Sequence, residues 1–413
     1  MTSDPHGTPR VTATEPSITL VDAPDAVPTA LAAVDLPVVG VDVERADADR
    51  YFRHAALVQV GGQVGDEEHC VLLDGMELDD LGQLDVFLAD RLTVLHAASN
   101  DVVPLAAKGV RPTRLVDTAI AAAVLGRPTG LDTLLVETLG VGLSPDKERF
   151  QRADWSKRPL PGPMQAYAAG DVVSLPRLWA VLADDLVATG RMPWFEQELV
   201  ASLDNAVTDT RDWRRVRGVG RLAPRQQALV AAVWRLREDL AREHDIAPNL
   251  LLHDEVILAF AMEPPRTVAQ LIRRARRRRR MEEEHGERFL AVMSEAALAE
   301  PPAADPDRRR WTDHDSQAFD RMRDARAALA TELGIDAGVL CPSKLLKDAV
   351  RTDPSDADAL CAAAGLRPWQ RELLGELLWA AYRGEGASRS RAARTSTAAT
   401  ASSSVSPSTA PTS

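Results

Sequence analysis

Apolar and polar positions follow two different rhythms along this chain. From about Ile18 to Leu203, short β-branched runs are separated by helical patterns. Pro37-Val-Val-Gly-Val-Asp-Val43, Ala55-Ala-Leu-Val-Gln-Val60 and Cys70-Val-Leu-Leu73 predict three strands. Gly61-Gly62 predicts a turn after the second, so the three fit an antiparallel meander. Leu92-Thr-Val-Leu-His96 predicts a short fourth strand, followed by helices from about Asp101, Asp117 and Leu131. Strands first, then strands interleaved with helices, predict an α/β domain with a mixed sheet flanked by helices.

After Asn205 the rhythm is helical throughout. Ala223 to Glu243 places Leu229, Val233, Leu236 and Leu240 on one face. Pro248 breaks the chain, and His253 to Met262 predicts another helix ended by Pro264-Pro265. Thr267 to Arg280 begins as a helix and becomes an arginine run. A second helical block spans about Thr312 to Tyr382 and suggests a diverged repeat of the first. The expected organisation is a disordered segment 1–16, an α/β domain over 17–205, all-α domains over 211–296 and 308–383, and a disordered Ser/Thr/Ala-rich tail 384–413.

Composition narrows the class. At 413 residues, 45% hydrophobic and 27% charged, the chain reads as a soluble multidomain protein. No run approaches the roughly 18 apolar residues of a membrane helix, and the start lacks a signal-peptide pattern. Cys70, Cys341 and Cys361 are too scattered for a disulfide framework or a zinc cluster, so a reducing cytoplasm is expected. The formal charge of -12 is unevenly spread: residues 1–210 carry -16, 211–280 carry +9 and 281–413 carry -5. An acidic first half suits a site that holds cations, and a basic middle suits a surface that holds phosphates.

Candidate chemistry lies in the acidic half. Asp42 and Glu44 are two apart in a strand, so both carboxylates share a face. Taken alone, they read as the solvated side of a strand. Asp101 follows His96-Ala-Ala-Ser-Asn100 where a strand hands over to a helix, and Asn100 or Asp101 could serve there as an N-cap. Tyr167 and Asp171 are four apart, on one helical face, where a surface contact is the plainer use. Four carboxylates converging on one cleft would repel unless cations sat between them. Hard oxygen ligands suit magnesium or manganese.

In order, Val41-Asp-Val-Glu44, Leu95-His-Ala-Ala-Ser-Asn-Asp101 and Tyr167-Ala-Ala-Gly-Asp171 resemble the motifs of the DEDD superfamily of 3′–5′ exonucleases, tyrosine subclass, and within it the ribonuclease D family. Leu57-Val-Gln59, Val116-Asp-Thr118, Gly126-Arg-Pro128 and Asp154-Trp-Ser-Lys-Arg-Pro-Leu160 extend the likeness over residues 18–200. Val43 and Arg45 depart from the Thr and aromatic that flank this position in better-known members. The resemblance implies a ribonuclease H-like sheet and two divalent metal ions, Mg2+ or Mn2+, held by Asp42, Glu44, Asp101 and Asp171. It implies a ribose contact for Glu44 and a water-orienting role for Tyr167. Asp117 is expected to be a cap or structural contact, and His96 a packed or hydrogen-bonded residue.

Residues 212–296 resemble the HRDC domain, a helical nucleic-acid-binding module, and the block 308–383 resembles a second, weaker copy. Where a glycine-containing hairpin is usual, this chain has seven arginines in eight positions: Arg273, Arg274, Arg276, Arg277, Arg278, Arg279 and Arg280. So dense a block is expected to hold phosphates independently of sequence, against the plainer reading of a solvated face.

The expected function is metal-dependent 3′–5′ exoribonuclease action releasing nucleoside 5′-monophosphates, with RNA, including tRNA precursors, as partner and no membrane; no oligomeric state follows. A DNA-directed exonuclease of the same superfamily is the first alternative, weakened because no polymerase or helicase motif occurs. A catalytically silent RNA-binding protein is the second, weakened because all four carboxylates are present.

Overall fold

A computed structural model describes residues 16–142, 147–151, 153–208, 211–275, 279–299 and 311–385, with the side chains of 147, 148 and 279–283 outside that description. The expectations for the N-terminal 15 residues, for the tail beyond residue 385 and for Arg276, Arg277 and Arg278 lie outside the described residues.

Six strands form one mixed sheet: β1 (Ser17–Val21), β2 (Val38–Arg45), β3 (Ala55–Val64), β4 (Glu67–Asp74), β5 (Leu92–Leu95) and β6 (Leu115–Asp117), in the order β1-β4-β3-β2-β5-β6. β2, β3 and β4 are the expected antiparallel meander, while β1 joins β4 and β5 joins β2 in parallel. Alternation along β2 sends Val39, Val41 and Val43 into a core with Val58, Val60, Val71, Leu84, Leu88 and Leu105. The opposite face carries Gly40, Asp42 and Glu44, and register shifts between Glu44 and Arg45, a bulge at the strand end.

The expected turn at Gly61-Gly62 is not there. β3 runs through both glycines, and the chain reverses at Gly65, whose φ is +62°. The pair is needed for clearance. Gly40 and Gly61 are cross-strand partners, and a Cβ on Gly40 would lie 2.2 Å from the carbonyl oxygen of Val172. A Cβ on Gly61 would lie 2.9 Å from a methyl of the same valine. Two glycines thus form a shallow seat on which the helix Gly162–Val173 rests directly on the sheet.

The described residues divide into two compact units. One holds the residues up to Ala119, Gly130–Asp184 and Leu199 to Ala304, and the other holds Ile120–Thr129, Asp185–Glu198 and the residues after Asp305. In the first unit, Pro224–Glu243, Pro248–Leu251, Asp254–Met262, Val268–Ala275 and Arg279–Leu298 form the first helical domain. The long helix ends at Glu243, ahead of left-handed Asp245, and Pro248 opens the next short helix instead of breaking the chain.

In the second unit the same arrangement returns with a constant spacing of 89 residues, as from Arg237 to Arg326. Arg237 is buried and donates to the carbonyl of Leu252 and to Asp254; Arg326, also buried, donates to the carbonyl of Cys341 and to Ser343. Short helices Pro248–Leu251 and Ala337–Leu340 correspond, as do Asp254–Met262 and Ser343–Arg351. The diverged repeat suggested by the pattern is thus present in the backbone. All three cysteines are buried and unpaired with one another.

Gly40→Ala should lift the Gly162–Val173 helix from its seat, lowering stability by about 1–3 kcal/mol. It should cost turnover at a site built from the two elements about a hundredfold, through misplacement of the groups they carry. Gly162→Ala, where an added methyl meets nothing within 4 Å, should change neither. Thermal melting together with a turnover assay checks this; a Gly40→Ala protein with unchanged turnover would show that the seat does not set the site.

Candidate active site

Asp42 and Glu44 leave β2 on the helix-covered face, as their spacing predicts. Asp171 comes from the Gly162–Val173 helix, one residue before the valine on the glycine seat. Ligand oxygens of Asp42, Glu44 and Asp171 all lie within 4.8 Å of one another. Asp101 approaches from the turn after β5. It is 3% exposed, and its Oδ2 has no hydrogen-bond partner among the described residues. The structure thus groups three of the four expected carboxylates as mutual neighbours and places the fourth at their edge, close enough to feel the charges of Asp42 and Glu44.

Asp101 is presented by a stitched turn. Ala97 is left-handed (φ +62°), an uncommon conformation for a residue with a Cβ. It is held there by Asp117, whose carboxylate accepts from the backbone N–H groups of Ala97 (3.0 Å), Ala98 (2.8 Å) and Ala119 (2.8 Å). Asp117 is therefore the structural contact expected of it. His96 Nδ1 lies 2.9 Å from Thr118 Oγ1, whose hydroxyl donates to the carbonyl of Leu95. That arrangement makes Nδ1–H the donor and fits the hydrogen-bonded role.

Tyr167 sits one helical turn before Asp171 and hydrogen-bonds to its carboxylate. Its ring packs against Phe150 (5.7 Å between centroids) and Trp155 (6.2 Å). The loop carrying Trp155 is pinned by Arg158. The guanidinium forks onto buried Asp74 (2.5 Å to each oxygen) and donates to the carbonyls of Ala56 and Trp155. The segment Asp154 to Leu160 thus braces the phenol.

Burial and mutual repulsion set the electrostatics. Burial pushes the Asp42 carboxyl up to about 6. Burial, then the charges of Asp42 and Asp171, push Glu44 up to about 9. Asp101 is held well above the usual range by burial and by Asp42 and Asp117. The Tyr167 phenol is raised by burial and by Asp171 and Glu44, so it stays protonated. An all-oxygen donor set with unrelieved repulsion and an unpartnered buried carboxylate oxygen fits hard divalent cations.

Two contributors are new to the sequence reading. Gln59 pairs with Asp42 across β2 and β3, is fully buried, and neither amide atom has a partner among the described residues. It belongs to the Leu57-Val-Gln59 match but has no local signal for a role. Asp245, in the first helical domain, is left-handed (φ +46°). Its carboxylate accepts from the backbone N–H of Tyr51 (3.1 Å) and Phe52 (3.0 Å), from Arg50 Nη1 (3.0 Å) and from His54 Nε2 (3.0 Å). Burial would raise this carboxyl, but the hydrogen bonds from Phe52, Arg50 and His54 hold it below its usual range. It thereby fixes the loop after β2, which walls a cleft of about 660 Å³ that reaches from Glu44 to Trp155. Of the expected arginine run, Arg273 is exposed, whereas Arg274 is engaged with the carbonyl and carboxylate of Glu263.

Residues 19–187 match a family model described as a 3′-5′ exonuclease. Residues 226–293 match the HRDC domain and 304–382 a 3′ to 5′ exonuclease C-terminal domain. Fold, carboxylates and matches define a 3′–5′ exonuclease of the class that uses divalent metal. A ribonuclease D of Shewanella sp. (strain ANA-3) is 32% identical over 276 residues, 64% of this chain and 69% of that one. A crystal structure of a protein from Bifidobacterium adolescentis superposes with a TM-score of 0.67 at 26% identity, covering 89% of this chain and all of the other. Escherichia coli RNase D, described as an exoribonuclease involved in structured RNA processing, superposes with a TM-score of 0.73 at 24% identity, covering 89% and 99%. The chain belongs to the ribonuclease D family, and it is a 3′–5′ exoribonuclease. No described helix is long and apolar enough to cross a membrane.

A carboxyl raised by folding binds its proton more tightly in the folded chain. It supports the fold at low pH, and that support is lost as pH climbs from about 4 through the raised values. For Asp42 and Glu44 those values are about 6 and about 9. Metal-free protein should therefore melt at a lower temperature near pH 8.5 than near pH 5.5. Added divalent cation should recover the loss at high pH, and Glu44→Gln should flatten the difference. Calorimetry across pH checks this, and an undiminished slope in Glu44→Gln would place its origin elsewhere.

Proposed function

We propose that Asp42, Glu44, Asp101 and Asp171 hold two divalent cations, Mg2+ or Mn2+, at the 3′ end of an RNA strand, and that Tyr167 orients the attacking water. Such ions, when bound, activate water and stabilise the leaving oxygen in phosphodiester hydrolysis. The chain's own residues supply the rest. Tyr167 keeps its proton and, braced by Trp155 and Phe150, offers a fixed hydroxyl beside Asp171. Glu44 lines the cleft, where a terminal ribose would meet it. Products would be nucleoside 5′-monophosphates. The observation that carries this reading is the convergence of three carboxylates within 4.8 Å, with a phenol one turn from the last.

The substrates would be structured RNAs with 3′ extensions, tRNA precursors among them, held in part by Arg273 and the arginines that follow it. Three buried free thiols suit a reducing cytoplasm.

Purified protein offered 3′-extended tRNA and matched single-stranded DNA, with magnesium, manganese or chelator, tests the reading. RNA should shorten from its 3′ end with either metal and persist with chelator, and a 3′-terminal phosphate should protect it. Asp42→Ala and Asp171→Ala should abolish cleavage without unfolding the protein. Tyr167→Phe should lose about ten- to a thousandfold in rate while retaining RNA binding. Rapid cutting of circular RNA, or near-normal turnover in either aspartate variant, would overturn it.

A further inference from the structure

A second basic stretch precedes the arginine run in residues 211–280. Arg211-Asp-Trp-Arg-Arg-Val-Arg-Gly-Val-Gly-Arg-Leu-Ala-Pro-Arg225 carries six arginines against one aspartate. Two short 3-10 turns, Trp213–Arg215 and Val219–Arg221, lead into the Pro224–Glu243 helix, and Asp212 caps the first by accepting from the N–H of Arg214. Trp213, Val216 and Val219 are buried anchors in the core of the first helical domain. Arg215 and Arg217 between them, and Arg221 and Arg225 just after, are exposed, and none has a carboxylate partner among the described residues.

This strip also adjoins the catalytic cleft. Residues 45–50 line the cleft, and the next residue, Tyr51, is buried in the same core as Trp213. The Arg211 guanidinium lies 3.9 Å from the centre of the Tyr51 ring, and Arg242 donates to the Tyr51 hydroxyl at 3.0 Å. Positive surface thus begins where the cleft wall ends. Position matters because charges are screened over roughly 8 Å at physiological salt. A phosphate leaving the acidic catalytic domain is helped only by cations next to its exit.

We propose that Arg215, Arg217, Arg221 and Arg225 form a phosphate-binding track for the RNA strand on the 5′ side of the nucleotide being removed. The track rests on the exoribonuclease reading and adds where the rest of the strand is held. Exposed guanidiniums without partners hold phosphates without desolvating a preformed ion pair and without reading sequence.

The test replaces the four arginines with Ala in the full chain. A second variant carries four Lys instead, and a control replaces Arg323, Lys344, Lys347 and Arg351 of the second helical domain with Ala. Thermal melting confirms that each variant is folded. RNA of about 15 nucleotides, long enough to leave the cleft, should show KM raised about ten- to a hundredfold with kcat unchanged. A dinucleotide should be degraded as before. Binding to an Asp42→Asn background should lose roughly 0.7 from the log–log salt slope per removed contact. The Lys variant should recover most of the affinity and the control should match the parent. An unchanged slope, an equal loss in the control, or an equal loss on the dinucleotide would overturn the track. If the parent protein degrades no RNA, the exonuclease reading fails by itself, while the binding comparison still decides the track.

Discussion

The closeness of one helix to one strand is the constraint on which the carboxylate cluster depends. Asp171 precedes the residue that rests on the glycine seat, and Asp42 lies two residues beyond Gly40. The clearance left by two missing side chains is therefore also the separation of two carboxylates that repel each other. Nothing in the cluster itself would keep it together in the absence of counter-charge. Packing does so from outside: the seat below, the Arg158–Asp74 fork beside the Tyr167 face, and the Asp117 stitches beneath Asp101. If the proposed cations bind there, stability lost to buried like charges would return as binding free energy, because the repulsion they would relieve is already built in.

Local geometry was legible wherever period and spacing suffice. Asp42 and Glu44 share a face because strands repeat every two residues, and Tyr167 meets Asp171 because helices bring i and i+4 together. Convergence of these pairs with Asp101 is non-local, and only the ordered motifs pointed to it. Gly61-Gly62 misled because paired glycines mark turns far more often than helix seats. β1 and β6 are too short for periodicity to register: β6 has three residues, and β1 is an edge strand with one buried position. Asp245 gave no signal, since its partners are nearly 200 residues away in sequence.

The two helical domains show what a repeat conserves once its sequences have drifted. Core size persists, with Leu271 and Leu360, Ala275 and Ala364, and Ala241 and Ala330 buried at equivalent places. The buried arginine persists because its removal would orphan a carbonyl. The turn after the first long helix is reused as well. In the first copy it presents Asp245 to the loop after β2. In the second, the carbonyl of Leu333 accepts from Arg191, and Gly334 lies so close to Gly126 that a Cβ there would fall 1.8 Å from its oxygen.

That last contact joins residues more than 200 positions apart, with Ile120–Thr129 and Asp185–Glu198 completing a unit otherwise built after Asp305. During synthesis, at about 5–20 residues per second, those early segments leave the ribosome well before the helices they pack with exist. The apolar and backbone surface around Gly126 and Trp194 must wait uncovered for ten seconds or more, at roughly that rate. A nascent chain of this protein is therefore exposed to capture by chaperones, or to aggregation, at defined places, and stalling between residues 200 and 310 would prolong that exposure most.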